Sequence, residues 1–224
     1  MKVVITGAGA ICSLAESAGE LHDALREGRS GLKPIELFSP NGLGPQRAGE
    51  VRPFEPRTWL GDRNLRPVDR TARLLLAAAQ QALDASGWTP ERRQESEVGL
   101  VLGTMYCSIH TISEFDRRNV QLGPSYASPF DFANSVINAA AGQAAIWHRL
   151  RGVNSTLSGG EASGLMAIAH AADLIAGGRA DALLAGGAEE LCFESFLGHH
   201  RAGRLSGPRA DGGEERAVPF DRRR

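Results

Sequence analysis

Cysteine is scarce in this chain of 224 residues. Cys12, Cys107 and Cys192 are odd in number, far apart and in no C-x-x-C pair. That excludes a disulfide framework and points to a reducing compartment. Net charge is scarce as well: 25 basic and 26 acidic side chains leave −1. Charge alone therefore offers nothing to a nucleic acid or an anionic membrane surface. There is no run of about 18 apolar residues, which excludes a membrane-spanning helix. The opening MKVVITGAGA has no apolar stretch long enough for a secretory signal, so the expected location is the cytoplasm. What is present, 42% hydrophobic and 23% charged residues, is the composition of a globular protein able to bury a sizeable core.

Glycine is plentiful, but not where a dinucleotide fingerprint needs it. In VVITGAG the third glycine of G-x-G-x-x-G would fall on Cys12. The related T-G-x-x-x-G-x-G pattern would need glycine at Ile11 and Ser13. KVVIT and GAG read instead as a buried strand and a tight turn. A helix follows over Glu16 to Glu27, stopped by Gly28. Residues 34–67 carry six prolines and read as a long surface excursion with little regular structure. Asp69 caps a helix from Arg70 to Ser86, rich in Ala and Leu and stopped by Gly87. VGLVLG (98–103) reads as a second buried strand, and Asn138 to Arg151 as a helix. STLS is a short strand, and DALLAGGAEE (181–190) another. From Gly198 onward the chain reads as a polar, glycine-rich tail. Apolar strands alternating with helices predict an α/β fold with a mostly parallel sheet covered on both faces.

LSGGEASGLMAIAHAADLIAGG draws attention to Glu161. Residues 162–176 are apolar almost all round, interrupted only by His170 and Asp173, and predict a helix buried on every side. Its amino end would present unpaired N–H groups, a place that suits an anion or a thiolate. Glu161 stands there. It reads either as a simple helix cap or as the functional group of a site.

The stretch GVNSTLSGGEASGLMAIAHAADLIAGGRADALLAGGAEE resembles the active-site segment of the β-ketoacyl synthases, the condensing enzymes of fatty-acid and polyketide synthesis. Members typically read G-P-N-x-x-x-x-T-A-C-A-S-G, then a helix, then G-x-A-D-x-x-x-A-G-G-x-E, and the register holds without a gap from Gly152 to Glu189. VVITGAGAICSLA, PVDRTARLLLAAAQQALDASGW, VGLVLGT, SPFDFANSVINAAAGQAAI and AVPFDRRR resemble further family segments in the right order. The resemblance implies the N-terminal half of a thiolase-like fold over residues 1–224, with the proline-rich excursion 34–67 inside it. It also implies dimerisation through this half and docking of an acyl carrier protein, and no cofactor or metal.

Two departures stand out. The family's nucleophilic cysteine falls on Glu161, and Gly159 and Gly160 replace the usual Thr-Ala or Ser-Ala. The second half of the family fold, which carries its catalytic histidines and lysine, is not in this sequence. None of His22, His110, His148, His170, His199 or His200 sits in those motifs. His148 and His170 read as packing or surface residues, and the His199–His200 pair as a solvated loop. Cys12, Cys107 and Cys192 read as small hydrophobes.

A condensing enzyme needs a thiolate to hold its acyl chain as a thioester. A carboxylate is a weak nucleophile, and its mixed anhydride would hydrolyse, so condensation by this chain alone is not expected. Acyl substrate and binding residues are not legible. The favoured reading is a chain-length-factor-like partner of a homologous ketosynthase, as heterodimer or with itself. The alternatives are a malonyl-carrier decarboxylase using Glu161, a truncated non-functional fragment, and a condensing enzyme with another nucleophile.

Overall fold

The computed structural model describes residues 2–43 and 47–205. AVPFDRRR and most of the polar tail lie outside the described residues. Helix α1 (Ala18–Arg26) is capped by Ser17, whose hydroxyl accepts the N–H of Glu20 at 3.2 Å. Strands β1 (Leu32–Pro34) and β2 (Arg47–Gly49) pair antiparallel, and the short helix α2 (Arg57–Leu60) follows. The excursion 34–67 is thus more structured than its prolines suggest. It carries buried Glu50, Leu60 and Leu65, and the two leucines join the main core.

Helix α3 (Arg70–Ala85) begins where expected, with Asp69 Oδ1 accepting the N–H of Ala72 at 2.9 Å. Thr71, Ala72, Leu75, Leu76, Ala79 and Leu83 recur at helical spacing and are buried. The short helix α4 (Arg92–Glu95) leads into β3 (Val98–Gly103), every residue of which is buried. Helices α5 (Ile109–Leu122), α6 (Pro129–Ala133) and α7 (Ala139–His148) come next. After β4 (Asn154–Leu157) the chain makes a single 3₁₀ turn, Gly160–Ala162, and enters α8 (Ser163–Ala176). Strand β5 (Ala182–Gly187) and helix α9 (Phe193–Arg201) complete the described elements. Neither α5 nor α9 was anticipated from the sequence.

The central sheet runs β4–β3–β5, all parallel. Alternation along β3 builds the two layers. Val98, Leu100 and Leu102 pack with α3 and α7, while Val101 packs with Ala167, Ala171 and Leu174 of α8. The expected mostly parallel sheet with helices on both faces is what forms. Parallel order also brings the carboxyl ends of all three strands to one edge, which is where the loops of interest gather.

Two expectations are corrected. KVVIT is not a buried strand: residues 2–10 pair with no strand among the described residues, and Val4 and Ile5 are 63% and 85% exposed. The segment is held by α3 instead. A Cβ on Gly9 would lie 2.0 Å from the carbonyl oxygen of Ala78, and the N–H of Ala10 donates to Gln81 Oε1 at 3.1 Å. Nor is α8 buried on every side. Ser163, Ala167, Ala171 and Leu174 face the sheet, but Leu165, Met166 and Ile168 are exposed. An all-apolar helix buries only the faces that neighbours cover, and in the described residues one face has none.

Candidate functional site

Glu161 sits at the carboxyl edge of the sheet, in the 3₁₀ turn that joins β4 to α8 rather than in α8 itself. The turn is locked by Ser163. Its Oγ accepts the N–H of Gly159 at 2.9 Å and donates to the carbonyl of Gly160 at 2.5 Å. The backbone of Gly160 is the one that calls for glycine, whereas a side chain at Gly159 would only have to displace the flexible Met166 end. Gly160 has φ +72, and a Cβ on Gly159 would meet Met166 Sδ at 2.4 Å. Of the two glycines that depart from the resembled pattern, Gly160 is the one this turn needs.

The Glu161 carboxylate does not rest on the amino end of α8. It turns outward and accepts from Arg204 Nη1 at 2.7 Å, with the two side chains 64% and 49% exposed. Sequence reasoning missed Arg204. It lies 43 positions away in a stretch read as tail, and no spacing rule links the two. An exposed ion pair of this kind contributes about 0–1 kcal/mol. Arg204→Ala is accordingly expected to leave the unfolding midpoint within a few degrees of the parent, whereas Glu161→Arg, which sets like charges together, lowers it more. Thermal unfolding at low and high salt checks this, and a salt-independent difference between the two variants would contradict it.

None of the three thiols lies in the turn that carries Glu161. Cys107 does lie just before the amino end of α5, with φ 52. It is fully buried, however, and burial raises its pKa above the ordinary thiol range. Cys192 is buried too, and desolvation pushes its thiol to about 11. Cys12 is partly exposed, in the turn after residues 2–10. As buried groups, Cys107 and Cys192 behave as the small hydrophobes expected of them.

The histidines are dispersed. His148 is buried in α7, and its ring Nε2 lies 3.1 Å from the carbonyl of Leu76. A carbonyl only accepts, so Nε2 carries the proton and donates. Burial drives the His148 pKa down to about 4. His199 and His200 are not in a loop: they occupy the last turn of α9, where His199 meets Tyr106 edge-on at 5.7 Å. His110 Nδ1 lies 3.2 Å from Glu194. Among the described residues no group of His, Cys, Asp and Glu is arranged to hold a metal, and no helix is long and apolar enough to cross a membrane.

The loops beside Glu161 contain two further acids. Glu189 takes the N–H of Met105 at 2.6 Å, that of Tyr106 at 3.1 Å and the hydroxyl of Thr104 at 3.2 Å. It thereby ties the loop after β5 to the loop after β3. Glu190 is 5% exposed, and its Oε1 has no partner among the described residues. Desolvation, helped by the nearby Asp69 charge, pushes the Glu190 carboxyl up to about 7.

The family model described as "Beta-ketoacyl synthase, N-terminal domain" matches residues 1–222. The 3-oxoacyl-(acyl-carrier-protein) synthase 2 of Coxiella burnetii is 32% identical over 223 residues, covering 100% of this chain and 54% of that protein. The tetracenomycin polyketide synthase ketoacyl synthase beta subunit of Streptomyces glaucescens is 31% identical over 226 residues, covering 99% and 54%. Among solved structures, the ishigamide ketosynthase/chain length factor superposes with a TM-score of 0.82 at 30% identity, over 89% of this chain and 50% of that one. A β-ketoacyl synthase from Burkholderia phymatum, at 24% identity and a TM-score of 0.84 over 99% and 54%, supports the fold. The chain spans about half the length of the curated relatives it matches.

Proposed function

Since the chain belongs to the β-ketoacyl synthase family, we propose that it serves fatty-acid or polyketide assembly as a non-condensing, chain-length-factor-like partner of an active ketosynthase. One observation supports this reading: Glu161, which the sequence resemblance aligns with the family's cysteine, carries a carboxylate ion-paired to Arg204. Condensation requires a nucleophile that holds the acyl chain until the next unit attacks. A carboxylate would form an anhydride that water cleaves, and a guanidinium hydrogen-bonded to it withdraws its electrons further.

The surface is consistent with a partner. The outer edge of β4 is unpaired among the described residues, and beside it α8 exposes Leu165, Met166 and Ile168. Around α6, Tyr126, Phe132 and Val136 are also exposed. Apolar surface of this extent marks an interaction face. Among the relatives, one is described as the beta subunit of a polyketide ketoacyl synthase and one as a ketosynthase/chain length factor. The occupant in view is a homologous ketosynthase that keeps its cysteine, with an acyl carrier protein docking on the pair.

The test is co-expression of the tagged chain with such a ketosynthase. Copurification and a shift in product length are expected, and both should persist in Glu161→Gln. Absence of a complex together with unchanged product would sink the reading. Carbon dioxide release from a malonyl-carrier protein, lost in Glu161→Gln, would replace it with decarboxylation.

A further inference from the structure

Helix α9 is seated by contacts at both of its ends. In its first turn Glu194 lies 3.2 Å from His110 Nδ1, at the amino end of α5. In its last turn His199 meets the Tyr106 ring edge-on. Between them Phe196 is buried, its ring 5.5 Å from that of Phe38. The carboxyl end of α9 in turn fixes Arg204, whose N–H donates to the carbonyl of His199 at 2.9 Å. Arg204 is the partner of Glu161. The seating of α9 therefore governs whether that ion pair forms.

The joint at the amino end of α9 gathers titratable groups from three elements. Glu190, three residues before α9, is buried, and its Oε1 has no partner among the described residues. Burial and then the charge of Asp69, the cap of α3, push its carboxyl up to about 7, and His110 and Arg70 oppose them only in part. His110 faces Glu194 and Glu190 together, and Glu114 on its own helix. Cys192, the cap of α9, is pushed to about 11, and Glu194 is held below the ordinary carboxylate range. Neither of these two changes charge between pH 5 and pH 8.

In mild acid the joint is satisfied: Glu190 is neutral in its buried place, and a charged His110 lies against the Glu194 carboxylate. A rise in pH turns both against the seated arrangement. His110 loses its charge, and Glu190 gains one where it is cut off from water. Unseating α9 hydrates Glu190 and returns it to its ordinary value. A carboxyl raised in the seated state favours seating fully below pH 4.5, and that contribution is lost as pH climbs to about 7. We propose that His110, Glu190 and Glu194 form a pH-sensitive latch, which holds α9 against α5 in mild acid and loosens it in mild alkali, uncoupling Arg204 from Glu161. The opening is local, with α3 and the sheet left in place. The latch does not depend on the partner reading.

Amide hydrogen exchange of the whole 224-residue chain at pH 5 and pH 8, read by mass spectrometry and corrected for intrinsic rates, tests this. Protection of peptides covering α9 is expected to fall by at least about tenfold from pH 5 to pH 8, within what a carboxyl moved from 4.5 to about 7 can supply. Peptides from α3 report global unfolding, where Glu190 and His148 offset each other, and should change by less than about fivefold. Glu190→Gln should remove most of the pH dependence of α9. His110→Gln, at a half-exposed site, should lower α9 protection about threefold at pH 5 and leave it unchanged at pH 8. The contrast between α9 and α3 in the parent decides the matter even if Glu190→Gln does not fold. Equal α9 protection at the two pH values, an equal loss in α3, or an undiminished loss in Glu190→Gln overturns the proposal.

Discussion

Gly103→Ala is expected to lower stability by about 3 kcal/mol, the upper end of the usual cost of overpacking a core. The methyl group would lie 2.1 Å from the carbonyl oxygen of Ser163, 2.2 Å from its carbon and 2.6 Å from the nitrogen of Gly164. All three are backbone atoms of the first turn of α8, and no rotamer change can move them aside. Relief requires α8 to slide off the sheet. Gly164 is itself pressed against Gly187, where a new Cβ would find the Gly187 Cα at 3.3 Å. Gly103, Gly164 and Gly187 thus form one crossing point of β3, α8 and β5. Because Ser163 also holds the Gly159 N–H, a displaced α8 carries the Glu161 turn with it. Gly142→Ala is the control. Its site in α7 has nothing within 4 Å of a new Cβ, so it should stabilise by about 0.5–1 kcal/mol. Urea unfolding of the two variants reads the contrast, and equal midpoints would refute the packing argument.

That crossing also shows why parts of the molecule are legible in sequence and others not. β3, α3 and the start of α8 announce themselves through local rules: an apolar run ended by glycine, an aspartate cap three residues before its partner N–H, two glycines before an apolar helix. Each such rule is satisfied within a few residues, so sequence suffices. Glu161 and its helix were found in this way. The Arg204 partner was not, because an ion pair between distant segments leaves no periodic trace. α9 was missed because FESFLGHHR mixes aromatic, acidic and histidine residues without a clean apolar stripe, and its cap is Cys192, an unusual capping residue. KVVIT failed in the opposite sense. Its composition is that of a strand, but a strand exists only where a neighbour supplies hydrogen bonds, and none of the described residues does. Glu190 was hidden in plain view beside Glu189: burial and an absent partner are properties of the packed chain alone.

The pH dependence of folding is expected to be nearly flat in the parent between pH 4.5 and 6.5, and steep in opposite directions in two variants. His148 has a folded pKa of about 4 against an ordinary 6.5. Between those values the unfolded chain binds a proton that the native one refuses, so stability falls as pH falls. At about 1.4 kcal/mol per pH unit the whole window is worth about 3 kcal/mol. Glu190 has a folded pKa of about 7 against an ordinary 4.5. There the native chain keeps a proton that the unfolded chain has released, so stability falls as pH rises, again by about 3 kcal/mol across the window. The two slopes oppose each other over the shared range. His148→Gln, whose amide can still donate to the Leu76 carbonyl, removes one of them: stability should then be highest near pH 4.5 and decline toward pH 8. Glu190→Gln removes the other: stability should be highest above pH 7 and decline toward pH 4. The carboxylates with lowered pKa, Glu36, Glu91, Glu114 and Glu194, lose stabilisation in acid in all three proteins and cancel in the difference. Urea midpoints at fixed m from pH 4 to 8 separate the curves. Three parallel profiles would mean that neither buried group titrates as its surroundings require, and that water or a partner reaches both.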